Sequence, residues 1–298
     1  MVEIEAVGGV VASLGECPVW SGAERVLYWE DIEGRAIHRF DPDANETESR
    51  QLPGRPGSFV LTDRPGDLVV AMENEIVRLD WTSGQVVETI AEVESPDTGN
   101  RLNDGRCDHA GRFVVGTMWP QGEEGRFNGA LYRAQSDGSV ERLETDVGIP
   151  NGLVFDPSRS RMYWADTLHA TIWAWDYDLD SGQRSNRRVF FDFADEAGVP
   201  DGGCLDADGH YWSAAVYGWE LIRITPDGEV DRRIELPIQK PSMPAFGGDD
   251  LSTLYVTSIG SAGNTPSEPG RDAFEPGCLL AIDAGVTGAP EPGFKGRA

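Results

Sequence analysis

Six polar residues of the 298-residue chain stand where a loop gives way to an apolar run, and their types suit chemistry. Glu16 lies in LGECPVW, Asn151 in IPNGL and Asp201 in VPDGG, while Arg101, Asn103 and Asp104 fill RLNDG. Two carboxylates and an amide carbonyl (Glu16, Asp201, Asn151) make an all-oxygen donor set. Such a set suits hard cations such as Ca²⁺, Mg²⁺ or Mn²⁺. Few protein ligands leave coordination positions open for water and substrate, as catalysis requires. The four histidines, His38, His109, His169 and His210, show no metal-binding pair, so a His-based zinc site is not expected. No GxSxG, Walker or GxGxxG loop is present. Taken singly, each residue has a plainer reading. Asn151-Gly152 and Asp201-Gly202 could be tight turns, and Glu16 could cap a strand edge. The repeated placement favours one shared site.

Residues so far apart in sequence meet only if the chain repeats. An apolar strand, a polar turn and a second strand rich in aromatic and branched residues recur six times. The copies are CPVWSGAERVLYWEDI, SFVLTDRPGDLVVAM, GRCDHAGRFVVGTM, NGLVFDPSRSRMYWADT, GGCLDADGHYWSAAV and AFGGDDLSTLYVTSI. Their turns fall near Gly22, Gly66, Gly111, Ser158, Gly209 and Asp250, at spacings of about 44, 45, 47, 51 and 41 residues. A third strand follows each copy, as in AIHRFDP, EIVRLDW and TIWAWDY, and segments such as RRVFFDF complete the unit. Six units at this period predict an all-β, six-bladed β-propeller with an axial metal site, one domain over residues 1–298. A β-sandwich would need six coincidences of turn spacing. The first strand, near Ile4–Val11, is expected to pair into the last blade and close the ring. Equivalent loops then converge on the axis and bring Glu16, Asn151 and Asp201 together.

The charge balance narrows the partners. There are 51 acidic against 25 basic residues, a formal net charge of −26, and only two lysines, Lys240 and Lys295. A field of this sign repels phosphate backbones, so no nucleic-acid partner is expected. The scarcity of lysine favours adaptation to high salt, where screening removes self-repulsion, over ordinary surface polarity. Cys17, Cys107, Cys204 and Cys278 are scattered and show no CxxC, so reduced, buried thiols are expected. MVEIEAVGGVVASLGE lacks the basic start of a secretory leader, and no apolar run reaches membrane length. The chain reads as soluble and cytoplasmic, with no membrane partner and no signal of oligomeric state.

LGECPVW, RLNDGRCDHAGRFVVGTM, PNGLVFDP, YDLDSGQRSNRRVF, PDGGCLDADGHYW and FGGDDLSTLYVTS occur in this order along the chain. In these motifs it resembles the SMP-30/gluconolactonase family, which includes regucalcin and sugar lactonases. The resemblance implies a six-bladed propeller holding one axial divalent cation on Glu16, Asn151 and Asp201, with Zn²⁺ and Fe²⁺ joining Ca²⁺, Mg²⁺ and Mn²⁺ as candidates. It implies Arg101 and Asn103 as substrate contacts and Asp104 as a supporting residue. The implied reaction opens a small-molecule sugar lactone, such as a glucono-, xylono- or arabinonolactone, to the aldonate. The cation would polarise the lactone carbonyl while Asp201 takes a proton from the attacking water. Family members read GEGP or GESP where this chain reads GECP; Cys17 is expected to be a packing variant, not a nucleophile. WPQGEEGRFNG, from Trp119, departs from some members and is expected to form a loop over the site. A metal-dependent phosphotriesterase or aryl esterase and a non-catalytic calcium-binding propeller stand as alternatives.

Overall fold

The computed structural model describes residues 2–120, 127–262 and 273–295. Aromatic and β-branched runs, broken by Gly, Asp and Asn, fold there as twenty-four strands in six four-stranded antiparallel sheets. The sheets are the blades of a β-propeller. Their inner strands are Gly15–Ser21, Pro56–Leu61, Arg101–Cys107, Pro150–Asp156, Val199–Leu205 and Pro241–Gly247. Each of the six repeat turns joins an inner strand to the second strand of its blade, as the spacing predicts. In the last blade the chain's first strand, Ile4–Val11, pairs with its final one, Cys278–Asp283, placing Ile4 opposite Ile282. That pairing makes the chain's start the outermost strand of the last blade and closes the ring.

Burial falls from the axis outward. The inner strand Arg101–Cys107 is buried throughout, as is the second strand Phe113–Met118, whereas the outer strand Glu46–Gln51 is largely exposed. The core lies between blades. Tyr28 of the first blade meets Phe59 and Trp81 of the second, with ring centroids 6.5 and 5.3 Å apart. Tyr163 of the fourth meets Tyr211 of the fifth at 5.6 Å. Truncating rings of this kind costs about 3–5 kcal/mol, so the aromatic half of each repeat fixes the angle between blades.

One irregularity recurs and matters for function. The pairing register slips once in every inner strand: between Glu16 and Val19, Pro56 and Ser58, Leu102 and Gly105, Asn151 and Val154, Pro200 and Gly203, and Pro241 and Pro244. A slip leaves residues unpaired and re-aims their side chains. All the candidate site residues except Arg101 lie at or within these slips, and Arg101 immediately precedes one.

Candidate active site

Two aspartates set the entrances to the inner strands. Asp31 accepts backbone N–H bonds from Ser13 (2.8 Å) and Leu14 (2.9 Å), just before Glu16. Asp166 does the same for Gly148 (2.8 Å) and Ile149 (3.1 Å), just before Asn151. Both close a repeated Tyr-Trp-x-Asp sequence, a signal the motif reading passed over. The Asn151-Gly152 and Asp201-Gly202 pairs are not hairpin turns; each lies in the slip of an inner strand. Gly152 has φ 54°, and a Cβ there would fall 2.2 Å from the Tyr211 hydroxyl and 2.8 Å from the Asp201 carbonyl. Only glycine allows the fourth and fifth blades to approach this closely beside the site.

A directed chain of hydrogen bonds orients the amides. Arg101 Nη1 donates to Asn103 Oδ1 (2.6 Å). Asn103 Nδ2 donates to Asn151 Oδ1 (3.0 Å) and to the Pro150 carbonyl (2.8 Å). Asn151 Nδ2 donates to Thr167 Oγ1 (2.8 Å), whose own proton goes to the Pro200 carbonyl (2.7 Å). Because the Thr167 hydroxyl already donates, it can only accept from Asn151, and this fixes which end of the amide is oxygen. Asn151 Oδ1 is therefore turned away from Thr167, and Asn103 holds it there. Both N–H groups of Asn103 are committed in this chain, so a free lone pair on Oδ1 is what it can offer a substrate.

Carboxyl groups dominate the electrostatics. Burial and the charges of Asp201, Asp104 and Glu30 push Glu16 well above the usual carboxyl range. Burial, then Asp104, does the same to Asp201. Glu30, directly across the strand pair from Glu16, is fully buried with no hydrogen-bond partner on either oxygen, and burial raises it too. Asp104 accepts the Leu153 N–H through Oδ2 (3.1 Å), leaving Oδ1 without a partner. The mutual repulsion and the oriented Asn151 carbonyl fit a divalent cation held by Glu16, Asn151 and Asp201, while the unpartnered oxygens belong to the neighbouring Glu30 and Asp104. Burial, aided by the charge of Arg55, lowers the Arg101 guanidinium to about 10, so it remains cationic at neutral pH.

These groups open into one cavity of about 670 Å³ at the mouth where the inner strands begin. Glu16, Arg101, Asn103, Asn151 and Asp201 line it together, and Asp104 lies buried behind them. Pro120 reaches the same cavity, and Phe127 packs on the His169 ring with centroids 4.4 Å apart. Residues 121–126 of the loop expected over the site lie outside the described residues. Cys17 is buried, accepts the Phe59 N–H through Sγ (3.3 Å), and burial raises its thiol, all against a nucleophilic role. All four cysteines are buried, as expected. A separate cluster, Asp206, Asp208 and His210, brings ligand atoms within 4.8 Å of one another at the turn of the fifth blade. Its D-x-D-x-H spacing was not singled out in the sequence. Asp206 already accepts from the Asp208 and His210 backbone N–H groups, Trp212 Nε1 and Arg223 Nε, so the arrangement serves the turn. Among the described residues, no helix is long and apolar enough to cross a membrane.

Residues 14–260 match the description of the SMP-30/Gluconolactonase/LRE-like region. The chain belongs to this family. It is 41% identical to the 6-deoxy-6-sulfogluconolactonase of Pseudomonas putida over 95% of each chain. It is 37% identical to the pentonolactonase of Haloferax volcanii over 93% of each. Among solved structures it superposes on a calcium-binding protein, regucalcin, from Agrobacterium tumefaciens, with a TM-score of 0.90 and 27% identity, covering 99% of this chain and 98% of that one.

Proposed function

We propose that this family member hydrolyses the lactone ring of a sugar acid, using a divalent cation held by Glu16, Asn151 and Asp201. The observation that carries the reading is the convergence of two buried, mutually repelling carboxyls with an oriented amide oxygen in a substrate-sized cavity. Relatives named as lactonases over most of the chain support the reaction class. A bound cation supplies Lewis-acid polarisation of an ester carbonyl. Asp201, on the cavity wall, accepts the proton of the attacking water. Arg101 stays charged and fixed by Asn103 and the Leu102 carbonyl (2.8 Å), so it presents a rigid donor to the sugar oxygens. Asn103 orients Asn151 and leaves one lone pair for a sugar hydroxyl.

The substrate class follows from charge. Among the described residues lining the cavity, Arg101 is the one cation, against Glu16, Glu33 and Asp201. With the bound divalent cation offsetting Glu16 and Asp201, and Arg101 offsetting Glu33, the described lining holds no surplus positive charge for a sulfonate tail, which favours a neutral aldonolactone. The test is a rate comparison across neutral glucono-, xylono- and arabinonolactone, a sulfonated analogue, an aryl ester and a phosphotriester. Preferred turnover of a neutral aldonolactone is expected. Turnover confined to the phosphotriester or aryl ester overturns the proposal.

A further inference from the structure

Below the carboxyl cluster the axis carries a cation that the reaction does not use. Arg106, on the inner strand of the third blade, is 5% exposed. Its Nη1 lies 3.7 Å from Cys17 Sγ, its Nη2 lies 3.7 Å from Met243 Sδ, and its Nε lies 3.3 Å from a Glu291 carboxylate oxygen. Cys17 directly follows Glu16. Met243 packs against Gly202, which directly follows Asp201; a Cβ on Gly202 would come within 2.3 Å of Met243 Cγ. Asp104 lies two residues before Arg106 on the same strand. One guanidinium thus abuts the segments that carry both candidate carboxylate ligands.

Glu291 comes from the C-terminal segment, which straps the far mouth of the channel. The strap starts on the fifth blade, where Ala207 N–H donates to the Thr287 carbonyl (2.8 Å) and Asp206 bridges to Gly288. It ends on the second and third blades, where Phe294 N–H donates to the Leu61 carbonyl (2.8 Å) and Lys295 Nζ to the His109 carbonyl (2.9 Å). Midway, Glu291 turns inward to Arg106. Two sulfurs are weak acceptors, so Glu291 is the formal counter-charge in direct contact with this guanidinium, and at 30% side-chain exposure it is partly hydrated.

We propose that Arg106, offset from below by Glu291, is the fixed axial counter-charge that sets how tightly the site above it holds a divalent cation. This rests on the cation reading of Glu16, Asn151 and Asp201. The pair acts by sign of charge. Arg106 steadies the carboxyl cluster when no cation is present and repels a cation that binds there. Glu291 weakens that repulsion. A role limited to packing would loosen cation binding whichever partner was changed.

The test is calorimetric titration of chelator-treated protein with Ca²⁺ and with Mn²⁺, for wild type, Arg106→Met, Arg106→Lys, Glu291→Gln and Asp201→Asn. Arg106→Met keeps an apolar stem and removes the charge; Kd should fall about tenfold. Arg106→Lys should stay within about threefold of wild type, and Glu291→Gln should raise Kd about threefold or more. If Arg106→Met does not fold, Arg106→Gln, which also removes the charge, takes its place: its Kd should fall, and a raised Kd overturns the counter-charge proposal. Wild type that binds, with Asp201→Asn that does not, upholds the cation site. In that setting, weaker binding by Arg106→Met or unchanged binding by Glu291→Gln overturns the counter-charge proposal only. Wild type that binds neither cation overturns both.

Discussion

Replacing Asp201 with asparagine should make the cation-free protein more stable and the cation-loaded protein less stable than wild type. Asparagine keeps the size of the side chain and removes its charge. Asp201 is 5% exposed and faces Asp104 in a cluster that includes Glu16 and Glu30. At an effective dielectric near 20, two like charges about 6 Å apart repel by about 3 kcal/mol. Arg101 and Arg106 offset part of this, leaving roughly 1.5 kcal/mol for one charge removed. In a chain of this length 1 kcal/mol moves Tm by about 2–3 °C, so the variant should melt about 4 °C higher in chelator. A cation at about a hundredfold over its Kd stabilises wild type by about 2.7 kcal/mol, or about 7 °C, and the variant hardly at all. The order of the two melting temperatures should therefore reverse between chelator and cation, with lactone hydrolysis reduced at least about a hundredfold in the variant. Differential scanning calorimetry in both buffers checks this. A variant that melts below wild type in chelator and still gains stability from the cation would refute the reasoning.

Three further outcomes follow from the same geometry. Burial raises Glu16, Asp201 and Glu30, so the stability they contribute is full below the unfolded value near 4 and lost as pH rises through the folded values. The chelator Tm of Asp201→Asn relative to wild type should thus widen from about pH 4 towards neutrality; a gap independent of pH would contradict it. Gly152→Ala forces a Cβ onto the Tyr211 hydroxyl and the Asp201 carbonyl at a positive φ. It should cost about 3 kcal/mol and lower turnover, and an unchanged Tm counts against the close approach. Ser160 closes its hairpin at φ 50°, where Gly66, Gly111 and Gly209 serve other blades, so Ser160→Gly should stabilise by about 0.5–1 kcal/mol in denaturant unfolding.

The blades were legible because their signal is periodic. Each repeat pairs an inner strand with an aromatic second strand, and six turns recur in step. Glu16, Asn151 and Asp201 were legible for a related reason: each breaks an apolar pattern at the same place in its repeat. The register slip that aims them was not legible, because pairing partners depend on the second strand's length and twist. Asp31 and Asp166 were missed although Tyr-Trp-x-Asp repeats in plain view; their work is on backbone N–H groups of preceding loops, which leave no side-chain pattern. Arg106 and Glu291 were missed because the strap crosses the axis, and no spacing in the chain announces a contact between residues 185 positions apart. Asn103, expected to face the substrate, directs both its N–H groups to Pro150 and Asn151, a balance visible only from the hydrogen-bond directions.

The central claim is tested most directly by following hydrolysis of a neutral aldonolactone by chelator-treated protein as single divalent cations are returned. Hydrolysis should fall to the uncatalysed rate without cation, return with at least one of Ca²⁺, Mg²⁺, Mn²⁺, Fe²⁺ or Zn²⁺, and fail to return in Asp201→Asn. Undiminished hydrolysis by thoroughly stripped protein, or full rescue of the variant, would contradict the account.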